Sequence, residues 1–202
     1  WLPQRGRRRS AVTRRVDRRI ILHGRLANRA THRPITAAFV IIASEPTDAP
    51  GWSAAGLVAT DRHGRFRAVL APGASRRFAA LYWPQATAAQ PLYSRRLLVR
   101  SSPRVYLKIT PTGRRRVRFD GHIGGAPMPP GGLIVAVQIK NRGHWVALRT
   151  PRTRPTGRFT ARYRFSRQAQ GATYHVRASV PGRQTAWPLY HGHSRTHTIH
   201  IR

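Results

Sequence analysis

Apolar and polar residues alternate along much of this chain, and the alternation has a period of two. The segment 158–165, "RFTARYRF", places aromatic residues and alanine at every second position, with arginine or threonine between them. The segment 173–180, "TYHVRASV", sets tyrosine, valine and alanine against histidine, arginine and serine. Alternation of this kind is typical of β-strands that bury one face and expose the other to water.

The same pattern, bounded by Gly and Pro, predicts strands along the rest of the sequence. They are expected at 18–23, 37–43, 53–60, 65–70, 77–82, 95–100, 104–109, 115–119, 133–140, 144–149 and 196–201. Helical periodicity is poor, and 17 Gly and 16 Pro interrupt the chain at short intervals. Short strands separated by turn residues predict an all-β protein of the sandwich class.

A repeated motif indicates an internal duplication. Residues 60–66 read "TDRHGRF" and residues 153–159 read "TRPTGRF". A tryptophan precedes the motif at the same spacing in both places, and "PLY" recurs late in each half. We therefore expect a basic N-terminal segment at 1–16, followed by two β-sandwich units at 17–110 and 111–202.

The repeated motif is interpreted as a turn between two strands. An Asp side chain at position 61 accepts hydrogen bonds from the backbone ahead of it, and Gly64 permits a positive φ. The strands on either side, 53–60 and 65–70, are expected to pair with each other as a hairpin. The second unit is expected to repeat that hairpin.

These residues also resemble a known family. The run from "RPITAAFVIIAS" through "TDRHGRF" to "SRRFAALYWP" resembles the carboxypeptidase-regulatory-like and prealbumin-like modules of bacterial surface proteins. The second unit resembles the Ig-like module found beside them in actinobacterial secreted proteins. The resemblance implies two tandem Ig-like (prealbumin-like) antiparallel β-sandwich domains, non-catalytic and secreted or wall-associated. Arg154 stands where the first unit has Asp61, which argues against a shared calcium role for the turn.

The net charge of the chain limits the kinds of molecule that it is expected to bind. The chain has 202 residues and a formal net charge of +33, from 38 basic and five acidic residues. Such a charge favours polyanions: an anionic cell-wall polysaccharide, a nucleic acid or an acidic lipid surface. A GC-rich genome also raises Arg over Lys, so a charge of compositional origin stays open. It does not account for the scarcity of Asp and Glu.

Two groups of arginines are the candidate polyanion-binding residues. The first lies in the N-terminal segment, where "RGRRRSAVTRR" is interpreted either as a flexible arm or as a phosphate-binding arm. The second lies on outward strand positions, where arginines of separate strands form one basic surface if those strands are neighbours. The candidates are Arg7, Arg8, Arg9, Arg116, Arg118, Arg158, Arg162, Arg164 and Arg177.

Evidence for catalysis or for a bound cofactor is poor. The five acidic residues are scattered, and no phosphate-loop, GxSxG or HExxH motif occurs. There is no Cys, so neither disulfides nor thiolate metal sites exist. His191 and His193, in "HGHSRTHTIH", are weak metal-ligand candidates, and surface histidines are the simpler interpretation. We expect a protein that is not an enzyme and needs no cofactor.

The sequence therefore favours a non-catalytic secreted or cell-surface module that is structural or adhesive and binds an anionic polymer. A nucleic-acid-binding protein and an inert spacer are the alternatives. Exposed loop aromatics would favour nucleic acid, and Trp83, Trp187, Tyr93 and Tyr190 are the candidates. No apolar run is long enough to cross a membrane as a helix. The chain opens on Trp1 without Met or a signal peptide, as expected of a fragment or processed product.

Overall fold

The structure, a computed structural model, describes residues 10–85, 90–182, 184 and 187–201. The chain divides into two compact units, Trp1–Ser101 and Ser102–Arg202. This division falls earlier than the expected boundary after residue 110. The reason is that a strand at Arg104–Gly113 pairs along its length with the strand that follows it, so both belong to the second unit.

The described part of the first unit contains only strands. In chain order they are β1 (Ala11–Arg15), β2 (Ile20–Arg25), β3 (Phe39–Pro46), β4 (Ser53–Ala59), β5 (Arg65–Leu70), β6 (Arg76–Tyr82), β7 (Leu92–Tyr93) and β8 (Leu97–Ser102). One sheet has the order β1-β8-β6-β3-β4, with β7 also paired to β6. The other sheet consists of β2 and β5.

The second unit repeats this order of strands. They are β9 (Arg104–Gly113), β10 (Arg116–Gly124), β11 (Ala136–Asn141), β12 (His144–Arg149), β13 (Arg158–Arg164), β14 (Thr173–Val180), β15 (Gly192–His193) and β16 (His197–His200). A single turn of 3₁₀-helix, Arg167–Ala169, precedes β14. One sheet has the order β13-β10-β9, and the other has β12-β11-β14-β15, with β16 also paired to β14.

Two antiparallel sheets in each unit, with this order of strands, make the protein a pair of tandem Ig-like β-sandwiches. The predicted fold class is confirmed. Strands 65–70, 144–149 and 173–180 have the predicted bounds, and the other predicted strands shift by a few residues. Within the described residues, no helix is long and apolar enough to span a membrane.

The N-terminal basic block contains a strand that the sequence did not predict. Residues 11–15, expected to be part of a flexible or phosphate-binding arm, form β1 and pair with β8. The backbone N–H of Leu98 donates to the carbonyl of Ser10 at 3.0 Å. In "AVTRR" only Val12 packs against the core, so one apolar residue among exposed arginines gives no alternating pattern.

Each core comes from the inward residues of facing sheets. In the first unit, Val40, Ile42, Phe78 and Val99 of the larger sheet are almost completely buried, and Phe66 packs on them from the smaller sheet. The second unit buries a similar set in its interior: Phe119, Ile123, Val135, Val137, Phe159, Val176 and Val180. Burial of these side chains supplies the main driving force for folding each unit.

The predicted hairpin around the repeated motif is wrong in both units. β4 pairs with β3 and β5 pairs with β2, so the turn carries the chain from one sheet to the other. The turn itself is tight, as expected. The Gly64 N–H donates to the Asp61 carbonyl at 2.9 Å, and the Gly157 N–H donates to the Arg154 carbonyl at 2.9 Å. The Thr60 hydroxyl donates to the Ile35 carbonyl at 2.8 Å, and this bond holds the chain in place where it leaves the first sheet.

Glycine is required at this crossing for two reasons. Gly64 has φ +70° and Gly157 has φ +77°, a conformation that side chains disfavour. A Cβ at Gly64 would also overlap the carbonyl oxygen of Leu26, and one at Gly157 would overlap that of Ile123. The same two residues also bond to the turns: the Leu26 N–H donates to the Gly64 carbonyl, and the Ile123 N–H donates to the Gly157 carbonyl.

Replacing either crossing glycine by alanine is expected to destabilise its unit strongly. Gly64→Ala and Gly157→Ala each combine a positive φ with a backbone clash, and the loss should exceed about 2 kcal/mol. Gly143→Ala is the control, because Gly143 has φ +86° with open space around its Cβ position. Urea unfolding of the three variants measures the difference, and equal losses in all three would contradict a role for the clash.

Candidate anion-binding face

The outer face of the β9–β10–β13 sheet holds most of the predicted arginines. In β10, Val117 and Phe119 point into the core and are buried, so the residues between them point outward. In β13, Phe159 does the same. The outward arginines are Arg116, Arg118, Arg158, Arg162 and Arg164, and all five are exposed.

The strand register places these cations directly opposite one another. Arg116 pairs with Arg164, and Arg118 pairs with Arg162. His122 pairs with Arg158 at the far end of the strands. Directly opposed residues have Cβ atoms only about 4.5–5.5 Å apart, and like charges in such pairs are destabilising. The register therefore concentrates positive charge on this face of the sheet.

Asp120 is the single acidic residue on this face among those described. Its carboxylate accepts from Arg118 Nε at 2.9 Å and from the Thr160 hydroxyl at 2.9 Å. Desolvation acts to raise the pKa of Asp120, but hydrogen bonds from Arg118 and Thr160 outweigh it. The nearby charges of Arg118 and Lys108 add to them, and the pKa is lowered. Asp120 thus fixes Arg118 while leaving the other arginines without a carboxylate.

The third strand extends the face with a cation and an aromatic ring that the sequence analysis missed. Lys108 lies opposite Asp120, and Tyr106 lies opposite His122. The Tyr106 side chain is 53% exposed, and its ring centre is 6.4 Å from that of His122. The alternation in "RVYLK" already put Tyr106 on the polar side of its strand, so this signal was present in the sequence.

The hairpin between β9 and β10 concentrates further cations at one end of the face. Arg115 has φ +60°, and its guanidinium donates to the Phe165 carbonyl at 3.3 Å. Desolvation, followed by the charges of Arg164, Arg167 and Arg114, lowers the pKa of Arg115. The cations at this hairpin make this end of the face strongly positive.

The opposite end of the face opens into a shallow depression beside the repeated turn. Its volume is about 590 Å³, and it is lined by His122, Arg154, Thr156 and Arg158. Arg154 is the residue that replaces the acid of the first unit. The cationic surface therefore runs from the β9–β10 hairpin, along β10 and β13, to the turn at 154–157.

Arg177 does not belong to this face. It lies on β14 in the other sheet, where its Nε donates to Gln138 at 3.0 Å and its guanidinium covers the Trp145 ring at 4.1 Å. Desolvation lowers its pKa. The expectation that Arg177 joins the other strand arginines is wrong, because β14 pairs with β11 in the other sheet and β10 pairs with β13.

The remaining predicted site residues fall elsewhere. Arg7, Arg8 and Arg9 lie outside the described residues. His191 and His193 are exposed, and a ring nitrogen of His193 lies 3.0 Å from the Ser194 carbonyl. In the described ranges, no three His, Cys, Asp or Glu side chains come together as metal ligands.

The loop aromatics differ from one another in exposure. Trp83 is 38% exposed and Tyr93 is 74% exposed, as the sequence suggested. Trp187 is buried in the core, which overturns that expectation for it, and Tyr190 is half-buried. None of the four lies on the three-stranded sheet, so the aromatic ring of the cationic face is Tyr106.

The corresponding face of the first unit is smaller and less basic. Its sheet has two strands, because β1 pairs with β8 instead of β2. Arg25 lies opposite Arg65 and His23 opposite Arg67, but the next outward pair is Ile21 with Val69. The two units therefore present different surfaces on one scaffold.

Solved structures that match the chain are β-rich modules of low sequence identity. One is a candidate carbohydrate-binding protein from Bacteroides uniformis, with 9% identity and TM-score 0.37 over 96% of this chain and 100% of that one. A tetra-tandem repeat of a large adhesion protein matches with 12% identity and TM-score 0.39 over 90% and 45%. The FN1–FN3 domains of chicken CNTN1 match with 11% identity and TM-score 0.32 over 94% and 65%. No model of a known family and no curated protein matches the chain.

Removing one opposed arginine pair is expected to stabilise the second unit at low salt. The double variant Arg116→Gln, Arg164→Gln relieves repulsion across the strands, and Tm should rise by on the order of 1–3 °C. The gain should disappear at high salt, where screening already weakens the repulsion. Arg29→Gln with Arg33→Gln, in an exposed loop of the first unit, is the matched control. Thermal unfolding at two salt concentrations measures the effect, and a lower Tm at low salt would contradict the prediction.

Proposed function

We propose that the second unit binds an extended anionic polymer on the outer face of its three-stranded sheet. The observation that carries the proposal is the register, which sets Arg116 against Arg164 and Arg118 against Arg162. Repulsion opposes folding most in the Arg116–Arg164 pair, because Asp120 partly neutralises Arg118 in the other pair. An anion placed between opposed guanidiniums removes that repulsion, so the energy released by relieving it adds to the affinity for the ligand.

The shape of the face favours a polymer over a small anion. Outward residues of one strand are spaced about 7 Å apart, and the run from Arg116 to His122 extends for roughly 20 Å. The depression at 154–158 is open, and it continues the same basic surface. A chain with repeated negative charges contacts several guanidiniums at once along this length, whereas a single phosphate contacts one pair.

Guanidinium chemistry narrows the ligand to polymers with carboxylate, sulfate or phosphate groups. The planar fork of Arg bonds two oxygens of one group at once, which suits acidic and phosphate-bearing polysaccharides. We infer a secreted or cell-surface module of the carboxypeptidase-regulatory-like type, acting in adhesion to the cell wall. Catalysis plays no part in this proposal, and the acids near arginines are already engaged: Asp17 with Arg15, Glu45 with Arg77 and Asp120 with Arg118.

The test removes three arginines that donate no side-chain hydrogen bond to a described residue: Arg116→Gln, Arg162→Gln and Arg164→Gln together. Binding to an acidic polysaccharide and to purified cell wall is titrated at several salt concentrations. Fewer counterions are released when fewer arginines contact the polymer. The slope of log K against log salt should therefore become less negative by about 2–3. Three arginines of the first unit, Arg29, Arg33 and Arg62, changed to Gln provide the matched control.

The outcomes of that titration separate the candidate functions. Wall or polysaccharide binding that survives physiological salt and falls only in the β10–β13 variant supports the proposal. An equal loss in the control variant would mean that net charge alone, and not this face, attracts the polymer. No binding by the unaltered protein at physiological salt would leave a spacer.

Nucleic acid is the second candidate ligand, and Tyr106 is the observation that favours it. Proteins that bind single strands combine a cationic path for the backbone with aromatic rings on which bases stack. Tyr106 offers an exposed ring beside that path. His122, also exposed, is the ring next to it, and no second exposed Phe, Tyr or Trp is present on this face among the described residues.

Replacing Tyr106 by leucine distinguishes the two ligands. If a base stacks on the ring, Tyr106→Leu should weaken binding of single-stranded DNA by about 1–3 kcal/mol, with no change in the salt slope. Binding of duplex DNA, whose bases are inaccessible, is the control within the same titration series. Unchanged affinity for single strands would remove the observation that favours nucleic acid.

A further inference from the structure

One segment of this highly basic chain contains no basic residue. Between Arg33 and Arg62, residues 34–61 include no Lys, Arg or His, and they hold three of the five acids. The three acids are Glu45, Asp48 and Asp61. This segment forms the β3–β4 hairpin and its flanking connections. The hairpin itself therefore contributes no cation, and the cations beside it come from other strands and loops: Arg77 pairs with Glu45, and Arg96 lies over the Trp52 ring.

The outer strand of this hairpin is an open sheet edge. β4 ends its sheet and pairs only with β3 among the described strands. Its sequence, "SAAGLVA", contains neither a charge nor a proline. Natural proteins usually protect such edges with charged residues, because unpaired backbone groups otherwise accept another strand. β4 has no charge to provide that protection, and its one irregularity is a β-bulge at Ala55 in the pairing with β3.

The second unit shows what a protected edge looks like on the same scaffold. The corresponding edge strand, β12, ends its sheet beside β11. Its hairpin carries Lys140, Arg142 and Arg149, so a second copy of this edge would bring cations together. The hairpin at this edge is therefore cationic in the second unit and contains no cation in the first, although the two units repeat one sequence.

An apolar row leads to the open edge across the outer surface of the sheet. Ile41 pairs with Leu57 on one side and with Leu81 on the other, and Leu81 pairs with Tyr93. Leu57 is 62% exposed and Tyr93 is 74% exposed. Phe39, on the neighbouring row, is 69% exposed. Leu57 is the last residue of the row, and no polar side chain lies beyond it on the described part of the sheet.

We propose that β4 pairs antiparallel with β4 of a second copy of the chain, with Leu57 opposite its own counterpart. This arrangement continues the Tyr93–Leu81–Ile41–Leu57 row into the same row of the second copy. It also satisfies the unpaired backbone groups of both edges. A second copy is the fitting partner because β4 itself brings no cation against the same strand of another chain of charge +33.

The two binding surfaces then respond to salt in opposite directions. Screening weakens attraction between the arginine face and a polyanion. It strengthens association of two copies, because the remaining positive charges of each repel the other over long range. Self-association through β4 and polymer binding through β10 and β13 are therefore separable in one protein.

Site-specific crosslinking tests the register. The chain contains no cysteine, so Leu57→Cys introduces a unique thiol. In the proposed pairing its Cα lies about 4.5–5.5 Å from that of the second copy, a distance that a disulfide spans. Ser53→Cys is the matched control on the same exposed strand, because the two Ser53 positions would be roughly 27 Å apart.

The expected result is a covalent dimer from Leu57→Cys on mild oxidation with diamide, and no dimer from Ser53→Cys. Equal crosslinking of both variants would indicate random collision, and no crosslinking of either would show that the edge does not pair. Both results would overturn the proposal.

A charge variant tests the association without oxidation. Sedimentation velocity of the unaltered protein at high salt should show a concentration-dependent dimer. Leu57→Lys should weaken it at least about tenfold, because the pairing then opposes two lysines. Val146→Lys adds the same charge at an exposed apolar position, 48% exposed, on β12 of the second unit and should leave the dimer unchanged. A protein that stays monomeric at high salt, or equal effects of the two variants, would overturn the proposal.

Discussion

The rest of this structure depends on the burial of one face of every strand. A two-sheet unit has a single apolar interior, so each strand sends alternate residues inward and the others to solvent. With 38 basic and five acidic residues, outward positions of adjacent strands receive arginine on both sides. The opposition of Arg118 to Arg162 thus follows from the fold and the composition together. A core that holds Phe119 and Phe159 fixes those cations in place and keeps them from separating.

The placement of the first strand decides which unit carries the cationic face. In the first unit β1 pairs with β8 and leaves a two-stranded sheet, whereas in the second β9 pairs with β10 and widens the sheet to three strands. The longer β9, from Arg104 to Gly113, pairs along the whole length of β10 and brings Lys108 and Tyr106 beside it. A duplicated sequence has in this way acquired two different surfaces by moving one strand between sheets.

Much of this architecture was predictable because the period-two pattern is local. The bounds of β5, β12 and β14, and the turns at Gly64 and Gly157, followed from alternation and turn chemistry. The partners of each strand did not follow, because pairing is a long-range property. For this reason β4 and β5 were expected to form a hairpin, and Arg177 was grouped with the outward arginines of β10 and β13. β1 was missed because its five residues carry too little alternation, and Tyr106 because an aromatic residue was assumed to point inward.

Basic residues are distributed unevenly along the chain. If the excess of arginine came from codon composition alone, basic residues would be spread without regard to strand position. They are instead absent from the whole 34–61 segment. The uncharged β4 edge suits a second copy of a +33 chain, whereas the arginine face suits a polyanion. If both proposed surfaces act, copies of the protein assemble along one polyanion.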